Sequence, residues 1–281
     1  MLLAADGRYM HVKRSHQTAV RTFSPPRSER VAGVSDGRFV AKMVETSEEL
    51  EAVLRLRYEV FRKELGDPEA ASYQEKSDLD EFDLRCEHVI VTEKETGLAV
   101  GTYRLNTFES AGDASGFYAS SEFHLEDVPE NVLKRSVELG RACIAKDNRN
   151  SRVLFVLWKV LANYLVARGK RHMFGCCSVF TQDGRKAAKI LQQLKLAGCM
   201  HPSITVRPRE EARIIPSGFE PSAMAPVELP PLVSIYLRIG CRVCGEPAAD
   251  REMQTVDYFV VFDLESIKPK YRRMFFGESS S

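Results

Sequence analysis

In the first part of the chain, the pattern of apolar and polar positions predicts a strand, a helix and a β-hairpin. Residues 39–44, Phe-Val-Ala-Lys-Met-Val, have the length and composition of a strand. The apolar positions of residues 50–65 recur at helical spacing. Residues 88–92 and 98–105 lie on either side of a turn at Gly97, and this arrangement predicts a hairpin.

Further along, the pattern predicts two strands on either side of a buried helix. Residues 137–144 predict a strand, and residues 172–180 form a near-continuous apolar run, as expected for a central strand of a parallel pair. Residues 153–168 are apolar almost all round and end at Gly169, so we expect a helix buried against a sheet. Further elements are predicted at 184–197 (helix), 232–239 (short helix), 242–245 (short strand) and 256–262 (strand).

This order of elements predicts an α/β fold with a mixed central β-sheet and helices on both faces, because hairpins alternate with one strand–helix–strand crossover. Residues 1–37 are basic and lack a sustained period, so we expect a flexible leader. A single domain is predicted for residues 38–276. It contains a proline-rich insertion at about 199–228 and is followed by a short tail at 277–281.

Charge is distributed unevenly along the chain. The formal net charge of +1 favours no particular partner, and we expect no nucleic acid among the partners. Residues 45–95 hold sixteen acidic and seven basic side chains, whereas residues 134–195 hold fourteen basic and three acidic ones. This polarity suggests an acidic region facing a cationic substrate and a basic region facing a polyanion. The alternative is that both are solvated helix faces.

The cysteine content and the apolar runs bear on the compartment. Seven cysteines in no regular framework favour a reducing environment over a secreted disulfide scaffold. The leader has no apolar core of a signal peptide, and the apolar run at 153–167 is interrupted by Lys159 and Asn163 and is short for a membrane span. We therefore expect a cytoplasmic protein that does not cross a membrane, with peripheral contact to the inner membrane left open.

One stretch carries the residues for acyl-transfer chemistry. Glu138-Leu-Gly-Arg141 lies on a predicted strand, and a turn with Arg149 and Arg152 precedes the buried helix. A helix N-terminus after a basic turn binds anions, because free N–H groups and the helix dipole converge there. A carboxylate upstream could act as general base for an amine attacking a thioester. The alternative is a plain salt bridge between Glu138 and Arg141.

A metal site is the weaker alternative. Cys241-Arg-Val-Cys244 has the spacing of a zinc knuckle, and Cys176 could add a thiolate. The sequence has no second Cys-x-x-Cys and no histidine near this one, so we expect no metal.

Several short sequence motifs resemble those of one group of enzymes. The motifs are Val137-Glu-Leu-Gly-Arg-Ala-Cys-Ile144, Leu157-Trp-Lys159, Phe174-Gly-Cys-Cys-Ser178, Arg57-x-x-x-Phe61, Asp80-x-x-Asp83, Val100-Gly-Thr-Tyr-Arg104 and Glu138-x-x-Arg141. They resemble the GNAT-related N-acyltransferases that begin ornithine lipid synthesis (lyso-ornithine lipid synthases). Those enzymes are similar to N-acyl amino acid synthases and, more distantly, to acyl-homoserine lactone synthases. The resemblance covers roughly residues 39–276.

The resemblance implies a GNAT-like fold with a V-shaped splay between the strands at 137–144 and 172–180, which would admit the pantetheine arm of the donor. It implies that Glu138 is the catalytic base, acting through water. The residues implied in donor binding are Cys143, Ile144, Arg149 and Arg152. The residues implied in acceptor binding or in organising the site are Arg57, Phe61, Asp80, Asp83, Arg104 and Arg141.

Two departures from the resembling families refine the expectation. The tryptophan that lactone synthases place after the Arg-x-x-x-Phe helix is missing near Leu65, which counts against lactone synthesis. The glycine-rich pyrophosphate loop of acetyl-CoA enzymes is replaced by Arg149-Asn-Ser-Arg152, which favours an acidic acyl carrier protein over coenzyme A.

The resemblance therefore implies an acyltransferase that moves a long acyl chain, with or without a 3-hydroxyl group, onto the α-amine of an amino acid. Ornithine is the best candidate, because the acidic residues 78–83 could hold a second positive charge. No cofactor is expected; the thioester on acyl carrier protein phosphopantetheine, or acyl-CoA, is a substrate. The alternatives are glycine, tyrosine or another acceptor, a short-chain acetyltransferase using acetyl-CoA, and a non-enzymatic acyl-binding protein.

Overall fold

The computed structural model of the protein describes residues 20, 23, 31–66, 76–219, 221 and 227–277. The chain divides into two compact units, Met1–Leu105 with Arg141–Arg168 and Asn106–Gly140 with Gly169–Ser281. Most of the predicted leader at 1–37 lies outside the described residues, as do parts of the proline-rich insertion and all but Gly277 of the tail. The predicted single domain at 38–276 includes residues of both units.

The described strands are β1 (Val34–Ser35), β2 (Phe39–Met43), β3 (Glu87–Glu93), β4 (Ala99–Thr107), β5 (Ser136–Ile144), β6 (His172–Val179), β7 (Arg242–Val243), β8 (Ala248–Asp250) and β9 (Thr255–Asp263). The described α-helices are α1 (Ser47–Arg57), α2 (Phe108–Ala111), α3 (Glu130–Lys134), α4 (Ser151–Ala167), α5 (Gly184–Leu196), α6 (Pro231–Ile239) and α7 (Pro269–Phe276). None of the described helices combines the length and apolar content that a membrane crossing requires.

The first unit contains an antiparallel run of strands, β1 to β4 in chain order. The predicted hairpin is confirmed as β3 and β4, and Gly97 adopts a φ of 68° at its turn, a conformation that glycine adopts without strain. Strand β1 was not predicted, because two residues are too few to show a period.

Helices cover both faces of this antiparallel sheet. Ile90 packs under Leu50 and Val53 of α1. On the other face, a Cβ atom added at Gly101 would lie 3.1 Å from Val153 in α4, and 3.4 Å from the Cβ atom of Val91. Because consecutive strand residues point to opposite faces, Ile90 and Val91 show that α1 and α4 lie on different sides. The predicted arrangement of helices is confirmed.

The second unit contains the mixed part of the fold. Strand β6 pairs in parallel with β5 and antiparallel along its whole length with β9, and β7 and β8 both pair with β9. The predicted mixed α/β class is therefore confirmed. Tyr258 on β9 donates its hydroxyl hydrogen bond to the Ala187 carbonyl of α5, which positions that helix on one face.

The parallel ladder between β5 and β6 is short. It has three residue pairs and ends at Glu138 and Phe174, although both strands continue. A Cβ atom at Gly175 would lie 2.4 Å from the Leu139 carbonyl oxygen, so glycine is required where the strands are still close. The ladder thus ends in the region where the sequence predicts the splay.

Short helical segments follow β4 between residues 108 and 134. They contribute Phe117 and Phe123 to an apolar core with Phe174 and Phe259. This core holds the segment that follows β4 against the second unit's own strands, and it carries the loop that contacts Glu138.

Candidate active site

A buried network of arginines and aspartates lies in the first unit. Arg57 is fully buried and forms a two-point ion pair with Asp83, with N–O distances of 2.5 and 3.2 Å. Its Nε atom donates to Asp78 at 2.9 Å. Buried guanidinium–carboxylate pairs of this kind are directional and geometrically specific.

The local helix geometry brings a second arginine to Asp78. After Arg57 the chain continues as a π-helix, Tyr58–Glu64, and Arg62 donates to Asp78 at 3.0 Å. Residues five apart diverge on an α-helix, but the wider π-turn brings them closer to one face. Arg62 was missed from sequence, because an α-helical pattern gives no reason to group residues 57 and 62, whereas Asp78 was predicted only as part of the acidic stretch 78–83.

Asp80 joins this network to two further arginines. Both its carboxylate oxygens lie 2.6 Å from Arg104 Nη1, and Arg141 Nη2 donates to it at 3.0 Å. Arg104 also reaches Asp83 at 3.0 Å. Arg141 adopts a φ of 48°, a left-handed conformation that is strained for a residue with a Cβ atom and that interrupts the alternation expected along β5.

The network lowers the pKa of two of its carboxyl groups, Asp78 and Asp80. Burial alone would raise the pKa of Asp78, but attraction by Arg57 and Arg141 lowers it to about 2. The pKa of Asp80 is also lowered, since Arg104 and Arg141 outweigh its burial. Four arginines face three aspartates in this network.

His88 adds no charge to the network at neutral pH. Burial lowers its pKa to about 4. The neutral ring donates from Nε2 to the Asp83 carbonyl at 2.9 Å, which fixes the tautomer, because a carbonyl can only accept. His88 therefore supports the backbone of Asp83.

The structure thus brings together five of the six residues predicted to organise the acceptor site: Arg57, Asp80, Asp83, Arg104 and Arg141. The sixth, Phe61, packs separately with Leu56, Val60 and Cys143. Solvent reaches the members unequally, since the side chain of Asp80 is 22% exposed and that of Asp83 is 0% exposed. Asp80 is therefore the network carboxylate most accessible to a ligand.

Glu138, the predicted base, lies in the second unit and binds a loop. Its two carboxylate oxygens accept hydrogen bonds from the backbone N–H groups of Tyr118 and Ala119, with N–O distances of 3.0 and 2.8 Å. The Asn106 amide donates to it at 3.4 Å. Arg141, which the sequence offered as an alternative partner for Glu138, forms ion pairs with Asp78 and Asp80. Glu138 holds the loop and keeps an ionisable group at the end of the β5–β6 ladder.

The predicted donor-binding residues surround the start of α4 in the first unit. Arg149 forms a two-point pair with Glu64 at 2.6 Å and also donates to the carbonyl of Ile144. Arg152 pairs with Asp36 at 2.8 Å. Both guanidinium groups are exposed, so a charged partner could reach them. Cys143 is buried, and burial raises the pKa of its thiol to about 12, which makes a thiolate role unfavourable.

An acidic cluster that the sequence did not predict lies in the second unit. The ligand atoms of Glu122, Cys176 and Asp257 lie within 4.8 Å of one another. Burial raises the pKa of Asp257 to about 6, and nearby Asp250 adds to the rise. Burial also raises the pKa of the Cys176 thiol well above its usual range, and Glu138 contributes to this shift.

This cluster, rather than the Cys-x-x-Cys motif considered as the weaker alternative from sequence, brings three potential metal ligands together. Among the described residues, it is the one group in which three potential ligands converge. Cys241 and Cys244 are both buried, and burial raises the pKa of each thiol to about 12. They have no third ligand within the described part of the chain.

Two clefts of the second unit lie apart from these residues. The smaller, of about 270 Å³, is lined in part by Ser115, Ser120 and Arg209, next to the loop that Glu138 binds. The larger, of about 380 Å³, lies between Leu191, His201 and Val243. None of the residues predicted for catalysis or binding lines either cleft.

Comparison with known proteins gives the class. Residues 56–159 match the family model described as the acetyltransferase (GNAT) domain. The predicted fold class and the predicted enzyme class, an acyltransferase, are confirmed.

Curated relatives carry a more specific name. The chain is 29% identical over 260 residues to the L-ornithine N(alpha)-acyltransferase of Agrobacterium fabrum, covering 86% of this chain and 87% of the relative. It is 27% identical over 261 residues to the enzyme of the same name from Brucella abortus, covering 87% and 91%. The predicted resemblance is confirmed.

Among solved structures, the AHL synthase LasI is 11% identical, with a TM-score of 0.46 over 87% of this chain and 98% of that one.

Proposed function

We propose that the protein is an N-acyltransferase that transfers a long fatty acyl chain from acyl carrier protein to the α-amine of ornithine. The observation that carries the acceptor assignment is the similarity, over 86% of the chain, to an L-ornithine N(alpha)-acyltransferase. The hydroxylation and length of the acyl chain stay predictions, as do the cytoplasmic location and the contact with a membrane. The proposal requires no cofactor beyond the phosphopantetheine of the donor.

The proposed reaction forms an amide and releases a thiol. The α-amine must first lose a proton, because an ammonium group has no lone pair with which to attack the thioester carbon. Glu138 accepts that proton directly or through a water. Collapse of the tetrahedral intermediate breaks the carbon–sulfur bond, and the thiolate of the carrier leaves and is reprotonated.

The hydrogen bonds around Glu138 support a positioned carboxylate. The backbone N–H groups of Tyr118 and Ala119 hold its two oxygens in one orientation. A general base acts well when its geometry is fixed before the substrate binds. The same bonds make Glu138 part of the loop's stability, so any test has to separate the two roles.

The donor side of the proposal rests on Arg149 and Arg152. Both are exposed and held by carboxylates at the N-terminus of α4. An acidic carrier protein could exchange partners with them, since exposed ion pairs contribute only about 0–1 kcal/mol each. Charge reversal at both positions should raise the Michaelis constant for acyl carrier protein and flatten its salt dependence.

The most direct test is the product. Mass spectrometry of lipids from a bacterial host that lacks ornithine lipids and expresses this chain should detect an N-acylated ornithine. Finding only another N-acylated amino acid would contradict the acceptor, and finding acetylated products from acetyl-CoA would contradict the long-chain donor.

Glu138→Gln tests the base. We expect turnover by the folded enzyme to fall about a hundredfold or more, the usual scale for a lost general base. The substituted amide would also place an N–H group against a backbone donor, so we expect a stability loss of about 1–3 kcal/mol. Turnover should therefore be measured below the melting transition of the variant.

Asn106→Ala is the matched control, because it removes a neighbouring hydrogen-bond donor and leaves the carboxylate in place. It should lower stability without removing the acidic limb of the pH–rate profile. If folded Glu138→Gln keeps near wild-type turnover and the same pH–rate profile, Glu138 only holds the loop and the catalytic assignment is wrong.

A further inference from the structure

Helix α7 and the residue before it carry four exposed positive charges. Its sequence is Pro-Lys-Tyr-Arg-Arg-Met-Phe-Phe, and Lys268 precedes it as the N-cap. Arg149, Arg152 and Arg207 each reach a carboxylate, whereas the exposed Arg185 and Lys195 of α5 form no ion pair with another described side chain. Within the described residues, no salt bridge involves the four exposed cations of this segment, which are Lys268, Lys270, Arg272 and Arg273. These positive charges are therefore not neutralised by the described part of the protein.

Apolar side chains lie among these cations. Met274 is 41% exposed and follows Arg273 directly, one helical turn after Lys270. Phe276 is half-buried, while Phe275 is buried and stacks on Tyr271. One face of α7 thus anchors the helix, and the other presents Met274 between two cations.

The apolar helix α6 ends beside the start of α7. A Cβ atom at Gly240, directly after α6, would lie 3.7 Å from the Ser266 carbonyl oxygen and 3.9 Å from the Cα atom of Ile267. Most of α6 is apolar, but only Val233 and Ile239 are buried in it. Its half-buried apolar side chains include Leu232, Ile235 and Leu237. We call α6 and α7 together, with Lys268, the α6–α7 surface.

We propose that the α6–α7 surface docks the protein on an anionic lipid bilayer. Unpaired lysines and arginines at a membrane surface are attracted to anionic headgroups, and apolar side chains between them enter the headgroup boundary. An interface with an acidic protein would use the same cations, but the partly exposed apolar length of α6 favours a lipid phase.

The purpose of this surface rests on the proposed function, whereas the binding itself does not. A long-chain N-acyl amino acid is an amphiphile that partitions into lipid, so an enzyme that makes it gains from being at a bilayer when the product leaves. Vesicle binding can be measured with no substrate present. Failure of the proposed function would therefore leave this inference standing, and the reverse also holds.

The experiment is co-sedimentation of the full chain with vesicles of phosphatidylcholine, with and without phosphatidylglycerol, at low and high salt. We expect binding only to the anionic vesicles, weakening as salt rises. The double variant Lys270→Glu, Arg273→Glu should bind at least about tenfold more weakly. Met274→Asn should weaken binding by a smaller factor without changing its salt dependence.

Matched controls come from α5. Arg185→Glu with Lys195→Glu reverses the same number of exposed charges, and Leu196→Asn replaces an apolar side chain that is 80% exposed. Both controls should bind like the wild type, and all variants should keep the wild-type melting temperature, since the positions are exposed.

Three outcomes would overturn the proposal. The wild type could fail to bind anionic vesicles. The α5 controls could weaken binding as much as the α7 variants, which would make the effect one of net charge. Alternatively, the α7 charge reversal could leave vesicle binding intact and raise the Michaelis constant for acyl carrier protein, which would assign this surface to the carrier.

Discussion

The Arg57 network and the Glu122 cluster hold buried carboxyl groups in opposite ways. In the network, arginines surround Asp78, and its pKa falls to about 2 despite burial. In the cluster, the groups acting on Asp257 are the hydroxyls of Thr255 and Ser178, a thiol and another carboxylate, and burial raises its pKa to about 6. Asp78 in the network keeps its charge far below neutral pH, whereas Asp257 in the cluster takes up a proton as the pH falls through about 6.

The comparison shows that burial does not decide the protonation state of a carboxyl group by itself. The sign of the pKa shift depends on whether a nearby cation offsets the hydration that the carboxylate loses on burial. The network is therefore suited to fixed positioning, whereas the protonation of Asp257 in the cluster changes as the pH passes through about 6.

The largest expected effect tests the network. Arg57→Met removes the cation that pairs with both Asp83 and Asp78. Of the described cations, only Arg104 then compensates the charge of Asp83, and only Arg62 and Arg141 compensate that of Asp78. We expect the free energy of unfolding to fall by about 3–5 kcal/mol, measured by urea denaturation. Arg149→Met, which breaks the exposed pair with Glu64, is the control and should cost about 0–1 kcal/mol. If both variants lost the same free energy of unfolding, the buried network would contribute no more stability than an exposed salt bridge.

The second prediction has the opposite sign. The pKa of Asp257 is about 6 in the folded protein, against 3.8 as its ordinary value, so the folded state binds the proton more tightly than the unfolded chain. The contribution of Asp257 to the free energy of unfolding is therefore present at low pH and is lost as the pH rises through about 6. Asp257→Asn, which imitates the protonated acid, should therefore raise the free energy of unfolding by about 2–3 kcal/mol above that pH.

The gain should disappear below the ordinary pKa of the acid, where both forms are uncharged. Asp263→Asn is the matched control from the same strand, since its carboxylate pairs with Arg171 and its pKa is lowered, so it should lose stability at neutral pH. If Asp257→Asn were less stable than the wild type at neutral pH, other groups in the fold would have to stabilise the ionised carboxylate, and the prediction would be wrong.

These two regions were not equally visible in the sequence. The strands and the long helix followed from apolar periodicity, because buried elements have to present apolar residues at their own repeat. Most of the network came from motif resemblance, in which Arg57, Asp80 and Arg141 lie at recognisable spacings. Arg62 escaped because its contact depends on a π-helical turn that no α-helical pattern describes.

The acidic cluster could not be predicted from local pattern. Glu122 lies in a segment of short helical turns, Cys176 on β6 and Asp257 on β9. The antiparallel register of β6 with β9, in which Cys176 pairs with Phe259, brings the last two side chains near each other. Alternation along a strand indicates that a polar residue faces one side, but it does not say which distant residue faces it.

The smallest expected effect asks whether the network also binds substrate. On the proposed function, ornithine brings a side-chain ammonium group that glycine lacks. Asp80 is the network carboxylate that solvent reaches, at 22% exposed, while Asp83 is 0% exposed and held by Arg57 and Arg104.

Asp80→Asn should therefore lower the preference for ornithine over glycine, measured as the ratio of kcat/KM values. We expect about 1 kcal/mol, below the usual range for a hydrogen bond to a charged group, because Arg104 and Arg141 already share the carboxylate. Asp83→Asn should instead lower the melting temperature and leave the ratio unchanged, since no ligand can reach a buried carboxylate. A ratio that is unchanged in Asp80→Asn, together with a lower melting temperature, would make the whole network structural and would move ornithine recognition elsewhere in the molecule.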